Sequence, residues 1–318
     1  MTTPADSVST YDAIGNREDL INNIYNIAPT ATPFISGISR GPANATNHEW
    51  QTQDLAAADD TNAQIEGNDA TTTAPTPSVR LGNQTQISDK VPQVTRTQRQ
   101  VESAGRGDEM DYQIMLKTKE LKRDMEKVIL ANKSKVAGST AAARICAGVE
   151  SWLATNFDGG VGAVAPTGDG TDTNTPGTNR AFDEAQLKTV LASAFTEGGE
   201  PDTIMVGATI KQAMSGIVNG GTAGAAQRVV DGNAATVHTA IDIYVSDFGS
   251  LAVIPNRFQV QTSMLVLDMG MWSLATLADF RENPLAKNGD SDRVQLLSEY
   301  TLEARNEKSS GIITALTS

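Results

Sequence analysis

The chain has 318 residues, 39% of them hydrophobic and only 5% aromatic, with 27 glycines. That suffices for one large domain or a few modest lobes around an aliphatic, alanine-rich core. The 25 basic and 38 acidic residues leave a formal charge of −13, which speaks against a surface that grips nucleic-acid phosphates or an anionic membrane. A single cysteine, Cys146, and two histidines, His48 and His238, exclude an intrachain disulfide and a thiolate metal cluster, and leave little for zinc hydrolysis, a catalytic triad or haem ligation.

The opening MTTPADSVSTYDAIGNRED has no basic segment followed by an apolar run, so no secretory signal is expected. No stretch approaches the roughly 18 apolar residues of a membrane span, and a cytoplasm-like compartment is expected. Residues 11–28 place Leu20, Ile21, Ile24 and Ile27 on one helical face, predicting a short helix that Pro29 ends. Phe34, Ile35 and Ile38 then form an apolar plug. Together these read as an arm that docks on something, although packing on the chain's own core satisfies the same local physics.

Residues 46–54 (TNHEWQTQD) are polar and extended in character, with Trp50 as the one large anchor. Between 51 and 79 the large aliphatics are Leu55, Ile65 and Val79, and Asp54, Asp59, Asp60, Glu66 and Asp69 stand without a single base. Such a segment cannot build a core. The stretch 80–101 alternates, with Leu81, Ile87, Val91, Val94 and Val101 between polar residues. The pattern predicts a long two-stranded ribbon, strands near 47–54 and 79–89, with a hydrophilic tip. A two-stranded ribbon is marginal in water, so support from a neighbouring subunit is expected; for residues 56–76 alone a disordered surface loop is the competing reading.

Residues 108–136 carry the clearest helical signal. Asp108 suits the N-cap, Glu109 and Asp111 the positive end of the dipole, and Met110, Ile114, Leu121, Met125, Val128 and Ile129 recur at helical steps. Lys122 with Glu126 and Glu120 with Arg123 can pair along the outer face. About 26 residues make a rod of roughly 40 Å. A second amphipathic run over 141–156 puts Ile145, Val149, Trp152 and Leu153 on one side. Residues 157–180, rich in Gly, Thr, Asp and Pro, read as a loop. A helix is predicted from Phe182 to Thr196, a buried strand over 203–207, and a helix over 208–218. Strands follow over 237–247, 250–254 and 258–269, and three more lie within 272–280 and 293–317. Helices and strands interleave without a βαβ rhythm, which predicts an α+β fold.

The chemical motifs are weak. Gly160-Val161-Gly162-Ala163-Val164-Ala165 has GxGxxA spacing but lacks the strand before it and the helix after it. Asp169, Asp172 and Asn174 resemble the start of a calcium loop, yet Arg180 stands where its bidentate Glu belongs. Cys146 lies among small and apolar residues, as an inert buried thiol does. No catalytic, cofactor-binding or metal-binding residue is assigned. An acidic chain with an arm, an unsupported ribbon, a rod helix and a compact remainder reads as a subunit of a large assembly.

Particular residues then carry a likeness. Arg17-Glu18-Asp19-Leu20, Ile27-Ala28-Pro29 with Thr32-Pro33-Phe34, and His48-Glu49-Trp50 open it. Asn83-Gln84-Thr85-Gln86-Ile87 and Glu120-Leu121-Lys122-Arg123-Asp124 with Glu126 continue it. Ser246-Asp247-Phe248-Gly249, Leu285-Ala286-Lys287-Asn288-Gly289-Asp290 and Glu299-Tyr300-Thr301-Leu302-Glu303 complete it. In this order, over nearly the whole chain, they resemble the tailed-bacteriophage major capsid (major head) protein family; residues 56–78 and 219–236 carry little of the likeness.

The resemblance implies the tailed-phage major capsid fold, an α+β architecture. Residues 1–45 would be an N-terminal arm, 46–100 an extended β-hairpin loop lying over a neighbour, and 101–180 a peripheral domain with a long spine helix. Residues 181–262 would be an axial domain, and 263–318 a return to the peripheral domain. It implies self-assembly into hexamers and pentamers of an icosahedral head enclosing double-stranded DNA without sequence-specific binding, in the virion capsid, assembled in the host cytoplasm. Portal and scaffolding proteins, and a decoration protein, are the partners implied; no enzyme activity, cofactor or membrane is. An acidic wall would release DNA readily, a container property. Glu49, Trp50, Arg80, Arg96 and Arg99 are the expected intersubunit contacts, with Phe34 and Ile35 as plugs, own-core packing or plain surface being the alternative for each. A cellular nanocompartment shell shares the fold. A monomeric carbohydrate- or protein-binding module with a disordered insertion at 51–79 is a different class, and an enzyme would need a pocket joining His238 or His48 to carboxylates.

Overall fold

The computed structural model describes residues 31–69, 72, 74–101, 107–218, 228–231, 234–237, 242–287 and 289–317. The helix expected over 11–28, residues 219–227 and His238 lie outside the described residues.

Helix α1 (Pro33–Gly37) is one turn with proline at its start, where a missing N–H is not needed. Strand β1 (Ser39–Pro42) leads to the ribbon, in which β2 (Asn47–Thr52) and β3 (Val79–Gln84) pair antiparallel, Asn47 opposite Gln84 and Thr52 opposite Val79. The second strand stops earlier than the alternation suggests. The Thr85 N–H turns back to the Thr46 carbonyl at 2.8 Å, and the chain re-forms as β4 (Gln86–Lys90) in another sheet, followed by β5 (Gln93–Thr95) and the short helix α2 (Arg96–Gln100).

Helix α3 (Glu109–Ile129) is capped by the Asp108 side chain, which accepts from the Met110 N–H, and buries Met110, Leu121, Met125 and Ile129. Its 21 residues make about 32 Å, shorter than the rod expected over 108–136. After Leu130 the backbone is taken up by other segments: Gly148 N–H donates to the Lys133 carbonyl, Lys135 N–H to Gly170, and Val136 pairs with Ile145. The run 141–156 is also not the helix its spacing suggests. Val149, Trp152 and Leu153 are fully buried as expected, but only Val149–Ser151 is helical, a single 3₁₀ turn. Gly148 explains the failure, since a Cβ there would sit 2.0 Å from the Ala131 carbonyl oxygen. Two backbones touch at that point, and a regular helix cannot be laid between them.

Strands β6 (Phe157–Asp158) and β7 (Arg180–Ala181) bracket the expected loop. Helix α4 (Glu184–Thr196) starts with a reciprocal cap between Asp183 and Gln186. Strand β8 (Thr203–Val206), helix α5 (Ala208–Val218), and the hairpin of β9 (Arg228–Asp231) and β10 (Ala234–Val237) come next. The remainder is strand: β11 (Ile243–Ser246), β12 (Gly249–Pro255), β13 (Met264–Leu267), β14 (Trp272–Leu285), β15 (Ser291–Ala304), β16 (Gly311–Ile313) and β17 (Leu316–Thr317). The strand expected over 258–269 is confined to its second half, because Gln259 and Ser263 close a turn through their side chains at 2.9 Å.

One large sheet runs β1-β14-β15-β4, with β5 also on β15; the other runs β11-β12-β8-β13-β16-β6. In the second, β8 and β13 are buried along their whole length. Ile204, Val206, Met264 and Val266 face the core under α4 and α5, whereas Met205, Leu265 and Leu267 face the core that holds Trp152, Trp272 and Tyr300. The alternation sends successive side chains of one strand into different cores. The strands after residue 263 are therefore divided: β13 and β16 join the sheet that holds β6, β8, β11 and β12, and β14 and β15 join β1, β4 and β5 in the other.

Candidate intersubunit surface

The ribbon leaves the body through a set of buried polar groups. Asn83, fully buried, accepts the Ala147 N–H at 2.9 Å and donates to the Leu302 carbonyl at 2.8 Å. A carboxamide can serve a donor and an acceptor at once, so one side chain ties β3 to β15 and to the 145–149 turn. Thr85 Oγ1 donates to Glu299 at 2.6 Å, and Arg144 Nη2 reaches the same carboxylate at 2.6 Å. Lys135 Nζ donates to the Gly82 carbonyl at 2.6 Å.

Trp50 points inward from β2, its ring 5.3 Å from that of Trp152 and 5.9 Å from His48. Glu49, on the opposite face, lies 3.4 Å from Arg80 across the ribbon, diagonal in register and largely in solvent. His48 Nε2 is 3.6 Å from Glu303. At the root, Lys308 Nζ is 2.9 Å from Asp54, whose carboxylate holds the ammonium above its ordinary value. Beyond that point every described residue from Gln53 to Arg80 is exposed. Leu55 and Ile65 are 95% and 83% accessible. Apart from the Asp54–Lys308 pair, the hydrogen bonds among the described residues there stay within the ribbon, such as Gln53 Nε2 to Thr76 O at 2.8 Å and Asn68 Nδ2 to Gln64 at 2.7 Å.

Arg96 and Arg99 do not join this surface. They sit at the other end of the chain's long hairpin, Arg96 Nε 2.9 Å from Asp290 and Arg99 Nη1 2.7 Å from Asp292. Arg99 also holds Asp108, the cap of α3; its guanidinium lowers the Asp108 carboxyl, and with Lys287 it lowers Asp292. The charges are mutually satisfied within one chain.

Phe34 requires a correction. Its ring is fully buried and meets Trp272 edge-on at 6.3 Å, leaving nothing for a neighbour to touch. Ile35 is also buried in the same core. Their backbone explains the placement: Phe34 N–H and Ile35 N–H donate to the two carboxylate oxygens of Glu126 at 2.8 and 2.9 Å, and Asn256 Nδ2 donates to Oε1 at 2.7 Å. Glu126, expected on the outer face beside Lys122, is fully buried, and burial raises its pKa against those hydrogen bonds. Glu150 is a second buried carboxyl pushed up by burial, held by Ser263 at 2.6 Å and Asn174 at 3.2 Å.

The motifs set aside in the sequence are parts of turns. Gly160 is packed so that a Cβ would lie 1.9 Å from Thr178 O. Asp169 and Asp172 accept from Thr171 and Thr167 backbone amides at 2.8 and 2.9 Å. Cys146 is buried, its thiol pKa raised by burial. Asn83, Glu126 and Lys308 were missed as organisers of the surface; Ile129 and Leu130, three and four residues after Glu126, were the one signal that this carboxylate turns inward.

Comparison with known proteins bears on this geometry. The sequence profile of the SU10 major capsid protein family matches residues 7–317. The major capsid protein of Escherichia phage Phieco32 is 28% identical over 346 residues, covering 98% of this chain and 97% of that protein. Among solved structures, Microbacterium phage Oxtober96 superposes with a TM-score of 0.65 at 12% identity over 97% of this chain and 99% of the other. The Cyanophage A-1(L) capsid asymmetric unit gives 0.62 at 14% identity over 98% and 99%.

Proposed function

Because this chain belongs to the SU10 major capsid protein family, a structural component of the phage capsid, we propose that its copies associate laterally into hexamers and pentamers and close an icosahedral head around double-stranded DNA. The observation that carries this reading is the ribbon. Its root is built into the body through Asn83 and Trp50, while Leu55 and Ile65 at its tip are almost wholly accessible. A limb fixed at its base and bare at its end is suited to lie over an adjacent copy. Interfaces of ordinary size, about 1,600 Å², repeated over a closed shell, supply by multiplicity what one contact does not.

In this reading the segments take capsid roles: an N-terminal arm to about residue 45, the extended loop 46–100, a spine helix α3 in the peripheral part, and an axial part around α4, α5 and β8 to β12. Glu49, Arg80 and the outward edge of Trp50 are proposed as contacts with the adjacent copy, as are Arg96 and Arg99 around the long hairpin. Portal, scaffolding and decoration proteins complete the proposed set of partners, and no catalytic step is assigned. Purified or co-expressed chain should form closed shells visible by negative-stain electron microscopy. A chain that stays monomeric under every assembly condition, and loses nothing when residues 55–69 are deleted, would overturn the reading.

A further inference from the structure

A cleft beside α1 collects positive charge that the chain itself does not neutralise. It lies between α1, β1, α3 and the β14–β15 pair, has a volume of about 210 Å³, and is walled in part by Thr32, Arg40, Lys122, Asp279, Phe280 and Ser298. Arg40 stands on β1 opposite Leu274 of β14. Lys122 projects from α3 three residues before Met125, which is buried in the core. Its Nζ rests over the Phe280 ring at 5.9 Å, an attraction that keeps the ammonium at the cleft. Among the described residues no carboxylate lies within ion-pair distance of either cation. Asp279 is the one acidic side chain on the described wall, and its Oδ1 accepts the Phe280 N–H at 2.8 Å. Glu126, on the same helix as Lys122, is turned into the core and gives its oxygens to Phe34, Ile35 and Asn256. In a chain of net charge −13 this is a local positive excess.

A second observation is independent of charge. Ser298, on β15, is buried in the row of Leu296 and Tyr300, and its Oγ has no hydrogen-bond partner among the described residues. A buried hydroxyl left unpaired is costly, and this one belongs to the wall that the two cations share. The orphaned hydroxyl and the unpaired cations call for the same complement, an acceptor that carries negative charge. The volume is below the about 300–1,000 Å³ of sites for drug-sized ligands, which suits a small ion. A guanidinium fork, an ammonium and a hydroxyl together match a tetrahedral oxyanion.

We propose that this cleft binds a phosphate group, with Arg40 and Lys122 opposing its charge and Ser298 Oγ donating a hydrogen bond to it. The bound group joins the turn at α1 to α3 and to β15, so occupancy stabilises the folded chain by linkage. The site does not depend on the shell reading.

Titration of the full-length chain against inorganic phosphate tests it, read by phosphorus NMR linewidth in chloride buffer at constant ionic strength. The parent should give saturable broadening. Arg40→Gln and Lys122→Gln should each weaken binding about tenfold, and Ser298→Ala should weaken it as well. Asp279→Asn removes the one repelling charge, keeps an oxygen for the Phe280 N–H, and should tighten binding about threefold. A gain in affinity cannot come from misfolding. A parent that shows no saturable broadening, or broadening that these substitutions leave unchanged, overturns the site. A second titration, with a dinucleotide carrying a single phosphodiester, separates the sources of the group. Competition with inorganic phosphate assigns the cleft to a nucleic-acid backbone, absence of competition assigns it to the free ion, and both uphold the cleft as a phosphate site.

Discussion

Glu126 and Ile35 stand 91 residues apart in sequence and 2.9 Å apart in space, the carboxylate Oε2 accepting the Ile35 N–H. The three partners of that carboxylate, Phe34 N–H, Ile35 N–H and Asn256 Nδ2, are all donors. Asn256 cannot turn over to help, because its own oxygen accepts the Phe258 N–H at 2.9 Å. Glu126→Gln therefore places an NH₂ group against a donor in either orientation. It should cost about 2 kcal/mol in denaturant unfolding and expose the amides of Phe34 and Ile35 to hydrogen exchange. Unchanged protection at those two amides would contradict the arrangement.

Glu150→Gln should behave in the opposite way. Ser263 can accept from the new NH₂ while the remaining oxygen accepts from Asn174, so the cavity fits the amide. Burial raises the folded-state pKa of Glu150 above 4.5. In the window between the unfolded and folded values the folded chain holds a proton that the unfolded chain has released, so this carboxyl's contribution is full below the window and falls as pH rises through it. The variant does not titrate. Its stability relative to the parent should increase from about pH 4.5 upward and then level off, as read from melting temperatures across pH. A flat difference would show that Glu150 ionises as freely in the fold as outside it.

Two glycines give opposite outcomes on alanine substitution. Gly216 lies in α5 with nothing within 4 Å of the position an alanine methyl group would take, so Gly216→Ala should stabilise by about 0.5–1 kcal/mol. At Gly148 the methyl would meet the Ala131 carbonyl oxygen at 2.0 Å and that of Ile129 at 2.9 Å. Both are backbone atoms that no rotamer change can move, and Gly148→Ala should cost about 3 kcal/mol or more. Thermal unfolding of the two variants decides both.

Limited proteolysis should report the ribbon directly. Thermolysin should cut the dissociated subunit beside Leu55 and Ile65, which are 95% and 83% accessible, before it cuts elsewhere in the described chain. Assembly should protect both sites. Equal cutting rates before and after assembly would mean that the tip stays in solvent in the shell.

The elements that obeyed a single periodicity were legible in the sequence. The cap at Asp108, the ribbon pairing from Asn47 to Thr52, and the helices after Asp183 and over 208–218 are where their residues place them. The errors share one cause. In 141–156 the spacing of Ile145, Val149, Trp152 and Leu153 reported burial correctly and conformation wrongly, since a backbone contact at Gly148 decides the shape and leaves no mark on hydrophobic spacing. Glu126 reads as a surface charge because its partners are backbone N–H groups of a segment 91 residues away. Phe34 reads as equally suited to a neighbour or to its own core, and only Trp272, brought in by β14, settles which.

Because β13 and β16 stand in the sheet that holds β8, neither hydrophobic centre can close until the ribosome has delivered the strands from Met264 onward. An interrupted translation product ending before Met264 lacks β13, the antiparallel neighbour of β8, and the whole of β14 and β15, which form the middle of the other sheet. Such long-range pairing slows folding, and a fragment cut short there has neither sheet closed and neither core sealed.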